Sequence, residues 1–246
     1  MKQKRKQRFF YNSISEKKDV LSLKGESAHY LTRVLRLKNG QDLILFNNSG
    51  SEWEAQILKA TKRQVDVKLL SKKSIKSESP LNITLIQSIS RSQRMDFVMQ
   101  KATELGVNKI IPMTSQNTVV RLNESNIENK MRHWQKIIIS AAEQSCRVKL
   151  PEIIEPQVFG KQLLNDFKSP QSYFLDTTGE DSFSSKKISK TTLVVGPEGG
   201  FSSTEKETAT DSGYKIIKTG PRLLRTETAP IMAISILQYL YGDLAN

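Results

Sequence analysis

A buried-strand pattern, a glycine-rich loop and the start of a helix follow one another within residues 193–202. The apolar run ends at Val195, a Gly-Pro-Glu-Gly-Gly loop follows, and Ser202 and Glu205 have the spacing of a helix capping box. Glycine permits close backbone approaches, and a helix start offers backbone N–H groups to a ligand. The spacing fits neither the dinucleotide nor the nucleoside triphosphate motif. Taken alone, the loop is equally consistent with a ligand site and with a tight strand-to-helix connection.

A second loop of the same kind occupies residues 220–229. A Gly-Pro pair ends a predicted strand, two arginines flank a pair of leucines, and the hydroxyls of the Thr-Glu-Thr segment are predicted to cap the next helix. That helix, from about Thr228, is apolar nearly all round. This pattern predicts burial in the core or, the alternative that we favour, against a second subunit in a homodimer. Two loops of this kind in one half of the chain can face one ligand.

Strands and helices alternate from residue 81 onward, which predicts an α/β domain with a mainly parallel sheet covered on both faces. The predicted strands are 81–89, 109–113, 172–175, 192–195 and 214–218, and the predicted helices are 95–105, 127–146, 203–212 and the one from about Thr228.

The first 72 residues predict a different domain. Short strand patterns at 42–46, 53–58 and 65–70 are separated by turn residues, which indicates a small antiparallel barrel interrupted by one helix around Leu31. The following residues are polar and end in proline. We therefore predict domains 1–72 and 81–246, joined by a linker at 73–80.

The basic charge of the chain is concentrated at its beginning. Residues 1–75 hold 17 Lys and Arg against 7 Asp and Glu, so they carry +10 of the net charge of +13. Lysine and arginine bind phosphates with release of counterions, which favours a nucleic acid partner for this part of the chain. A basic solubility surface is the alternative, and a membrane surface fits less well because no basic amphipathic helix is evident.

The sequence lacks the residues that a disulfide, a metal centre, a signal peptide or a membrane span would need. The single Cys146 excludes an intramolecular disulfide, and with only His29 and His133 besides we expect no metal centre. The basic N-terminus leads into no apolar signal-peptide core, and the longest apolar stretch, 229–241, is too short to span a bilayer. We therefore expect a cytoplasmic protein.

Four motifs in order resemble those of the bacterial 16S ribosomal RNA uridine-N3 methyltransferases, which belong to the SPOUT class of methyltransferases. The motifs are residues 94–107, 143–147, 195–202 and 220–229, and the similarity extends over the whole chain, including 8–10 and 29–36 in the basic part. The chain departs from the family pattern at Thr219, where leucine is expected, and at Tyr30, where a second histidine is common.

The resemblance implies an N-terminal PUA-like RNA-binding barrel and a C-terminal α/β domain whose end forms a trefoil knot. In this family the knot holds S-adenosylmethionine and the active site lies at a homodimer interface. The implied cofactor-binding residues are Leu175, Gly196, Pro197, Glu198, Gly199, Gly200, Gly220, Leu223, Leu224, Thr226 and Ala229. The implied substrate is 16S ribosomal RNA, within the small ribosomal subunit, and the expected RNA contacts are Arg8, Arg33, Arg36, Arg94 and Arg147.

The implied reaction moves a methyl group to N3 of a uridine, which is a nucleophile only after it has lost its proton. A guanidinium near the uracil oxygens would stabilise the resulting negative charge, and Arg225 is the candidate. Glu198 or Glu227 is a candidate base or orienting group, although either carboxylate is equally consistent with a charge partner at a helix N-terminus. Because N3 normally takes part in base pairing, we expect the target base to be unpaired or flipped out.

Two further functions stay open at this point. The same class of enzyme acts on transfer RNA bases or on ribose 2′-hydroxyls, and an RNA-binding ribosome-assembly factor could retain the fold without catalysis. The intact glycines and the Thr-Glu-Thr segment argue against the second of these alternatives.

Overall fold

The computed structural model describes residues 6–15, 19–120 and 124–245. Residues 1–5, on which part of the signal-peptide prediction rests, lie outside the described residues. The chain divides into two compact units. Unit 1 comprises Met1–Glu78 and Ala142–Lys149, and unit 2 comprises Ser79–Ala141 and Leu150–Asn246.

Unit 1 is built on a five-stranded sheet with the order β1-β3-β4-β5-β2. Its strands are β1 (Gln7–Phe10), β2 (Val20–Lys24), β3 (Asp42–Phe46), β4 (Ser51–Ala60) and β5 (Gln64–Ser74). The three strands predicted from the sequence are present as β3, β4 and β5, and β4 pairs antiparallel with both β3 and β5. β1 instead pairs parallel to β3, which differs from the prediction of an all-antiparallel arrangement.

The predicted helix of unit 1 is present around Leu31, and it is irregular. Helix α1 (Glu26–His29) continues directly into a π-helical segment, Tyr30–Val34. Ala28 and Leu31 are buried against alternate residues of the strands, among them Leu23, Leu43 and Val65. This period-two burial along the strands is what produced the strand signal in the sequence.

Arg8 and Arg147, both predicted to contact RNA, are buried inside unit 1. The Arg8 guanidinium pairs with Glu52 and donates to the backbone oxygen of Arg147 at 3.0 Å. The Arg147 guanidinium donates to Glu78 at 2.7 Å and 3.1 Å. Buried charges need such partners, because removal of one partner leaves the other charge buried in a low dielectric without compensation. We therefore correct the prediction: these two arginines hold segment Ala142–Lys149 within unit 1.

Glu143 lies next to this cluster, and burial raises the pKa of its carboxyl to about 7. The hydrogen bond from the Phe10 backbone N–H and the charge of Arg8 oppose that shift. Since the pKa in the unfolded chain is near 4.5, the folded chain binds more protons between about pH 4.5 and pH 7. Stability is therefore highest below pH 4.5 for this group and falls as pH rises through 7.

The substitution Glu143→Gln keeps an oxygen that accepts from Phe10 and removes the ionisation. We expect the variant to exceed the parent in free energy of unfolding by at most about 3 kcal/mol at pH 8 and by less than about 1 kcal/mol at pH 5. Urea unfolding of the full chain at both pH values measures the difference. If the free energies of unfolding of variant and parent differed by the same amount at pH 5 and pH 8, the raised pKa of Glu143 would be contradicted.

Unit 2 contains a seven-stranded sheet in which every pair is parallel. Its main path is β12-β10-β11-β6-β7-β8, and β9 pairs with β7. The strands are β6 (Asn82–Ser88), β7 (Lys109–Thr114), β8 (Glu152–Ile153), β9 (Gln157–Val158), β10 (Gln171–Leu175), β11 (Lys190–Val195) and β12 (Lys215–Ile217). The prediction of a mainly parallel α/β sheet is confirmed.

Helices cover both faces of this sheet. They are α2 (Ser92–Glu104), α3 (Glu124–Ser145), α4 (Lys161–Asp166), α5 (Ser203–Asp211) and α6 (Thr228–Tyr241). Side chains of α2, α3 and α6 share one buried cluster with Leu193, whereas α4 and α5 share another with Val194. Since successive strand residues point to opposite faces, the apolar run of β11 is buried on both sides.

Several local predictions can be compared with unit 2 directly. The capping box of Ser202 and Glu205 is present at the start of α5, and the predicted helix 95–105 is present as α2 (Ser92–Glu104), which is followed by Gly106 at a positive φ. The short elements β8, β9 and α4 were not predicted, because two to six residues carry too little periodicity. Within the described part of the chain, no helix combines the length and hydropathy that a membrane span requires.

Candidate active site

A cavity of about 510 Å³ lies where three neighbouring strands of unit 2 end. Leu175, Val195 and Ile217 are in register at the ends of β10, β11 and β12. The loops that follow these three strands therefore begin side by side at the same edge of the sheet. The carboxyl edge of a parallel sheet is the usual place for a ligand in such folds. The cavity is lined by Arg94, Leu175, Asp176, Thr177, Val195, Gly196, Pro197, Glu198, Gly199, Gly200, Phe201, Lys218, Thr219, Gly220, Arg222, Leu223, Leu224, Arg225, Thr226 and Ala229. Every residue predicted to bind the cofactor is therefore in its wall.

The first wall is the loop of residues 196–200, which follows β11. A Cβ on Gly196 would lie 2.7 Å from the ring of Phe201, so only glycine fits there. At the far end of the loop, Gly200 has a φ of +69° and its N–H donates to the Pro197 oxygen at 3.0 Å. The Asn117 side chain donates to the Gly200 oxygen, also at 3.0 Å. Phe201 packs against one end of the loop and Asn117 bonds to the other, so the loop is fixed with its backbone lining the cavity.

The second wall, residues 220–226, is tied to the first by a hydroxyl. Thr226 Oγ1 donates to the Gly196 backbone oxygen at 2.8 Å, and the buried Gln87 side chain donates to Thr226 Oγ1 at 3.4 Å. The predicted capping role of this threonine is wrong, because the N-cap of α6 is Glu227 and no side chain caps that helix. The hydroxyl joins the two loops instead.

Arg94, predicted to contact RNA, lies in the cavity wall at the first turn of α2. Its Nη1 is 2.7 Å from Glu198 Oε1, and its Nε is 3.8 Å from Glu227 Oε2. Glu227 Oε2 is buried and has no hydrogen-bond partner among the described residues. One guanidinium therefore lies between the two carboxylates that were proposed as base or orienting group, one from each loop.

Arg225 is in the cavity wall and its side chain is exposed. Its backbone oxygen accepts from the N–H groups of Thr228 and Ala229 at the start of α6. Within the ranges that the structure describes, the guanidinium has no ion-pair partner, in contrast to that of Arg94. Arg225 is thus the better placed of these two arginines to contact a ligand.

Sequence reasoning missed several residues of the cavity, of which Asp176 is the most informative. It directly follows Leu175 at the end of β10, and its Oδ1 accepts from the backbone N–H and the hydroxyl of Thr178. Lys206 Nζ lies 3.6 Å from the same oxygen. The other missed lining residues are Thr177, Val195, Phe201, Lys218 and Thr219, whereas Arg222 belongs to the second loop, which was predicted to face the ligand. The signal that could have found Asp176 is its position after a predicted strand, next to the end of β11.

The remaining predicted RNA contacts lie in unit 1 and are exposed. Arg33 is in the π-helical segment, and Arg36 follows it at a φ of +53°. Neither guanidinium has an ion-pair partner in the part of unit 1 that the structure describes. These two arginines are available to a phosphate, whereas Arg8 and Arg147 are not.

The chemistry of the cavity fits S-adenosylmethionine. Leu175, Leu223 and Ala229 supply an apolar surface for an adenine ring, and glycine backbone supplies hydrogen-bonding groups without side chains in the way. Asp176 and Glu198 bring carboxylates to the wall that an ammonium or a sulfonium can contact, although Glu198 is also paired with Arg94 and Asp176 lies 3.6 Å from Lys206. A cavity of about 510 Å³ is within the usual range for ligands of this size.

Two family models match the chain. Residues 77–238 match an RNA methyltransferase domain, and residues 23–70 match an RNA methyltransferase PUA domain. A ribosomal RNA small subunit methyltransferase E from Buchnera aphidicola is 35% identical over 98% of this chain and 99% of its own length. A protein of the same name from Bacillus subtilis is 28% identical over 93% of this chain and 94% of its own.

Solved structures match over nearly the whole length. A protein from Legionella pneumophila, solved in complex with the bound cofactor SAM, has a TM-score of 0.93 at 35% identity, and the match covers 98% of this chain and 100% of that one. The ribosomal RNA small subunit methyltransferase E from Neisseria gonorrhoeae, bound to S-adenosyl methionine, has a TM-score of 0.89 at 31% identity with the same coverage.

Proposed function

Since the chain belongs to the family of small-subunit ribosomal RNA methyltransferases E, we propose that it methylates N3 of one uridine in 16S ribosomal RNA. S-adenosylmethionine is the methyl donor, and 16S ribosomal RNA is the substrate of the family. The position on the base is the finer part of the proposal. It rests on the resemblance of the motifs at 195–202 and 220–229 to those of the uridine-N3 enzymes.

The observation that carries the proposal is the hydroxyl link between the two loops. Because Thr226 donates to the Gly196 oxygen, both glycine loops are walls of one cavity instead of two separate strand-to-helix connections. This cavity holds all eleven residues assigned to cofactor binding, from Leu175 to Ala229. A site with apolar side chains, bare backbone and carboxylates suits a donor that carries an adenine, an ammonium and a sulfonium.

The bound donor supplies an electrophilic methyl group on a sulfonium. The chain then has to align the nucleophile with that methyl group and to stabilise the deprotonated uracil. We assign the second task to Arg225, whose guanidinium has no acid partner among the described residues of the cavity wall. We assign Glu198 and Glu227 to orientation of the substrate. Either carboxylate can act as the base once it is no longer paired with Arg94.

The contact with RNA is assigned to unit 1, and the exposed Arg33 and Arg36 are its candidate phosphate contacts. We further propose that unit 1 is the RNA-binding domain and unit 2 the catalytic domain with a knotted cofactor site. The predicted boundaries 1–72 and 81–246 shift accordingly, because most of the predicted linker 73–80 belongs to unit 1: β5 continues to Ser74 and Glu78 pairs with Arg147. The substrate in the cell is 16S ribosomal RNA within the small ribosomal subunit, which places the protein in the cytoplasm.

We further propose that two copies of the chain form a homodimer. Helix α6 buries Ala233 and Leu237, among others, and leaves Tyr239 and Leu240 near its C-terminal end exposed. Phe97 of the neighbouring helix α2 is also exposed. Exposed large apolar side chains on two adjacent helices support an interface between two copies of the chain.

Two measurements on the wild-type chain test the function. Calorimetric titration with S-adenosylmethionine should give saturable heat, whereas a purely RNA-binding assembly factor should give none. Incubation of unmodified small subunits with labelled donor, followed by nucleoside analysis, should place the label in 3-methyluridine. Label in a ribose-methylated nucleoside, or label that appears only when transfer RNA is offered, would replace the proposed substrate and leave the enzyme class intact.

A further inference from the structure

The charges that line the cofactor cavity are divided between its walls. From the end of β12 to the end of the second loop, the wall contains three cations, Lys218, Arg222 and Arg225, and no carboxylate. We call these three side chains the second-loop cations. The carboxylates of the lining are Glu198 in the first loop and Asp176 directly after β10. Since β12 is the outermost strand of the sheet and β10 and β11 follow it inward, the second-loop cations belong to the outer side of the cavity.

Both carboxylates of the lining already have a cation nearby. Glu198 Oε1 lies 2.7 Å from Nη1 of Arg94, and Asp176 Oδ1 lies 3.6 Å from Nζ of Lys206. Each of these acids therefore has much of its charge balanced within its own part of the wall.

The second-loop cations are in the opposite situation. All three are exposed, and none of them has an ion-pair partner among residues 6–15, 19–120 and 124–245. The carboxylate of Asp181, which lies beside β12, accepts from the backbone N–H of Ile216 at 2.8 Å and forms no ion pair with them. The uncompensated positive charge of the lining is thus concentrated in the second loop.

This positive charge does not suit the methyl donor. At neutral pH S-adenosylmethionine carries an ammonium, a sulfonium and a single carboxylate, so its net charge is positive. The carboxylate balances one of the second-loop cations at most, and the others raise the energy of a bound cationic ligand. Exposed arginine and lysine side chains are the usual contacts of a nucleic acid phosphate. The second-loop cations therefore match the polyanionic substrate better than they match the donor.

We propose that the second loop is a phosphate-binding surface, on which Lys218 and Arg222 contact the RNA phosphates next to the target uridine. Arg225, the third of these cations, is then left to contact the uracil. The inference rests on the proposed function and adds a second RNA contact, on the catalytic unit itself. Phosphate contacts fix the position and register of a strand without reading its sequence, so this surface places the target nucleotide at the cavity.

The first test compares the parent with the double variant Lys218→Ala, Arg222→Ala in filter binding to small ribosomal subunits over a series of salt concentrations. At low salt the dissociation constant should rise by about 10-fold or more. The slope of its logarithm against the logarithm of the salt concentration should fall by about 1.4–1.8, because each phosphate contact contributes about 0.7–0.9. A side chain that only supports the shape of the loop does not change this slope. The calorimetric affinity for S-adenosylmethionine should stay unchanged.

The matched control is the double variant Lys190→Ala, Lys215→Ala. These exposed lysines are the first residues of β11 and β12, so they lie at the opposite edge of the same sheet. The control removes the same charge and should leave the dissociation constant and the salt slope unchanged. An equal loss in both double variants would show that only the net charge matters, and it would overturn the proposed surface.

Methyl transfer to small subunits at saturating donor separates this surface from the proposed function. The double variant in the second loop should raise KM for the subunit by about 10-fold or more. A parent that forms 3-methyluridine, together with a double variant that keeps its KM and salt slope, would overturn the surface and leave the function standing. Weaker donor binding in the double variant would assign the two side chains to the donor carboxylate and overturn the surface as well. If the parent forms no 3-methyluridine, the proposed function fails, and the salt slope still decides whether the second loop binds phosphate.

Discussion

Replacing Arg225 by alanine is expected to lower kcat for methyl transfer by about 100- to 1,000-fold while the affinity for S-adenosylmethionine stays unchanged. The guanidinium lies in the wall of the cofactor cavity and has no acid partner in the part of the chain that the structure describes. A positive charge fixed near the uracil oxygens stabilises negative charge that develops only as N3 loses its proton, so its loss affects kcat more than binding.

Two matched variants sharpen this prediction. Arg225→Lys keeps the charge and loses the planar fork, so we expect an intermediate kcat. Arg132→Ala removes an exposed arginine of α3 whose side chain donates to Asn129, and its kcat should equal that of the parent. Single-turnover rates with labelled donor, together with calorimetry, separate the two parameters. A wild-type kcat in Arg225→Ala would show that another group stabilises the uracil anion.

The substitution Gly196→Ala is expected to raise the dissociation constant of S-adenosylmethionine by about 10- to 100-fold. A Cβ at this position would lie 2.7 Å and 2.9 Å from two ring atoms of Phe201. That ring cannot retreat easily, because it packs at 4.1 Å between centroids against the buried Phe174 and at 5.5 Å against Phe159. The backbone at Gly196 would have to move instead, and its oxygen would lose the hydrogen bond from Thr226.

The free energy of unfolding should fall in parallel by about 1–3 kcal/mol, as expected for overpacking. Gly160→Ala is the matched control, since a Cβ there meets nothing within 4 Å and the backbone is extended. It should change neither the affinity nor the stability by a comparable amount. An unchanged donor affinity in Gly196→Ala would mean that the first loop is not a wall of the donor site.

Much of the fold could be predicted because its signals are local. The strands β6, β7, β10 and β11 are buried on both faces, and this appears in the sequence as short stretches dominated by apolar residues. The capping box of α5 depends on two residues three positions apart. The two glycine loops were predicted to face one ligand, and they do line one cavity.

Other features depend on partners that are distant in the sequence. The parallel pairing of β1 with β3 depends on a strand more than thirty residues away, so it leaves no periodicity in β1 itself. Thr226 has the composition of a helix cap, yet its hydroxyl donates to Gly196, thirty residues earlier. Arg8 and Arg147 look like phosphate contacts in a basic chain, but each is buried against a carboxylate that no local pattern connects with it.

The sequence by itself determined the class of fold, the two glycine loops and the family, because strand periodicity, capping and motif order are properties of neighbouring residues. Only the tertiary structure decided which charged side chains are available to a ligand. Arg94, Arg147 and Arg225 carry the same group, yet one lies between two carboxylates of the cofactor loops, one is buried in unit 1, and one is exposed in the cavity wall. The availability of a guanidinium depends on the charges and the solvent around it, and those are set by chain segments that meet only after folding.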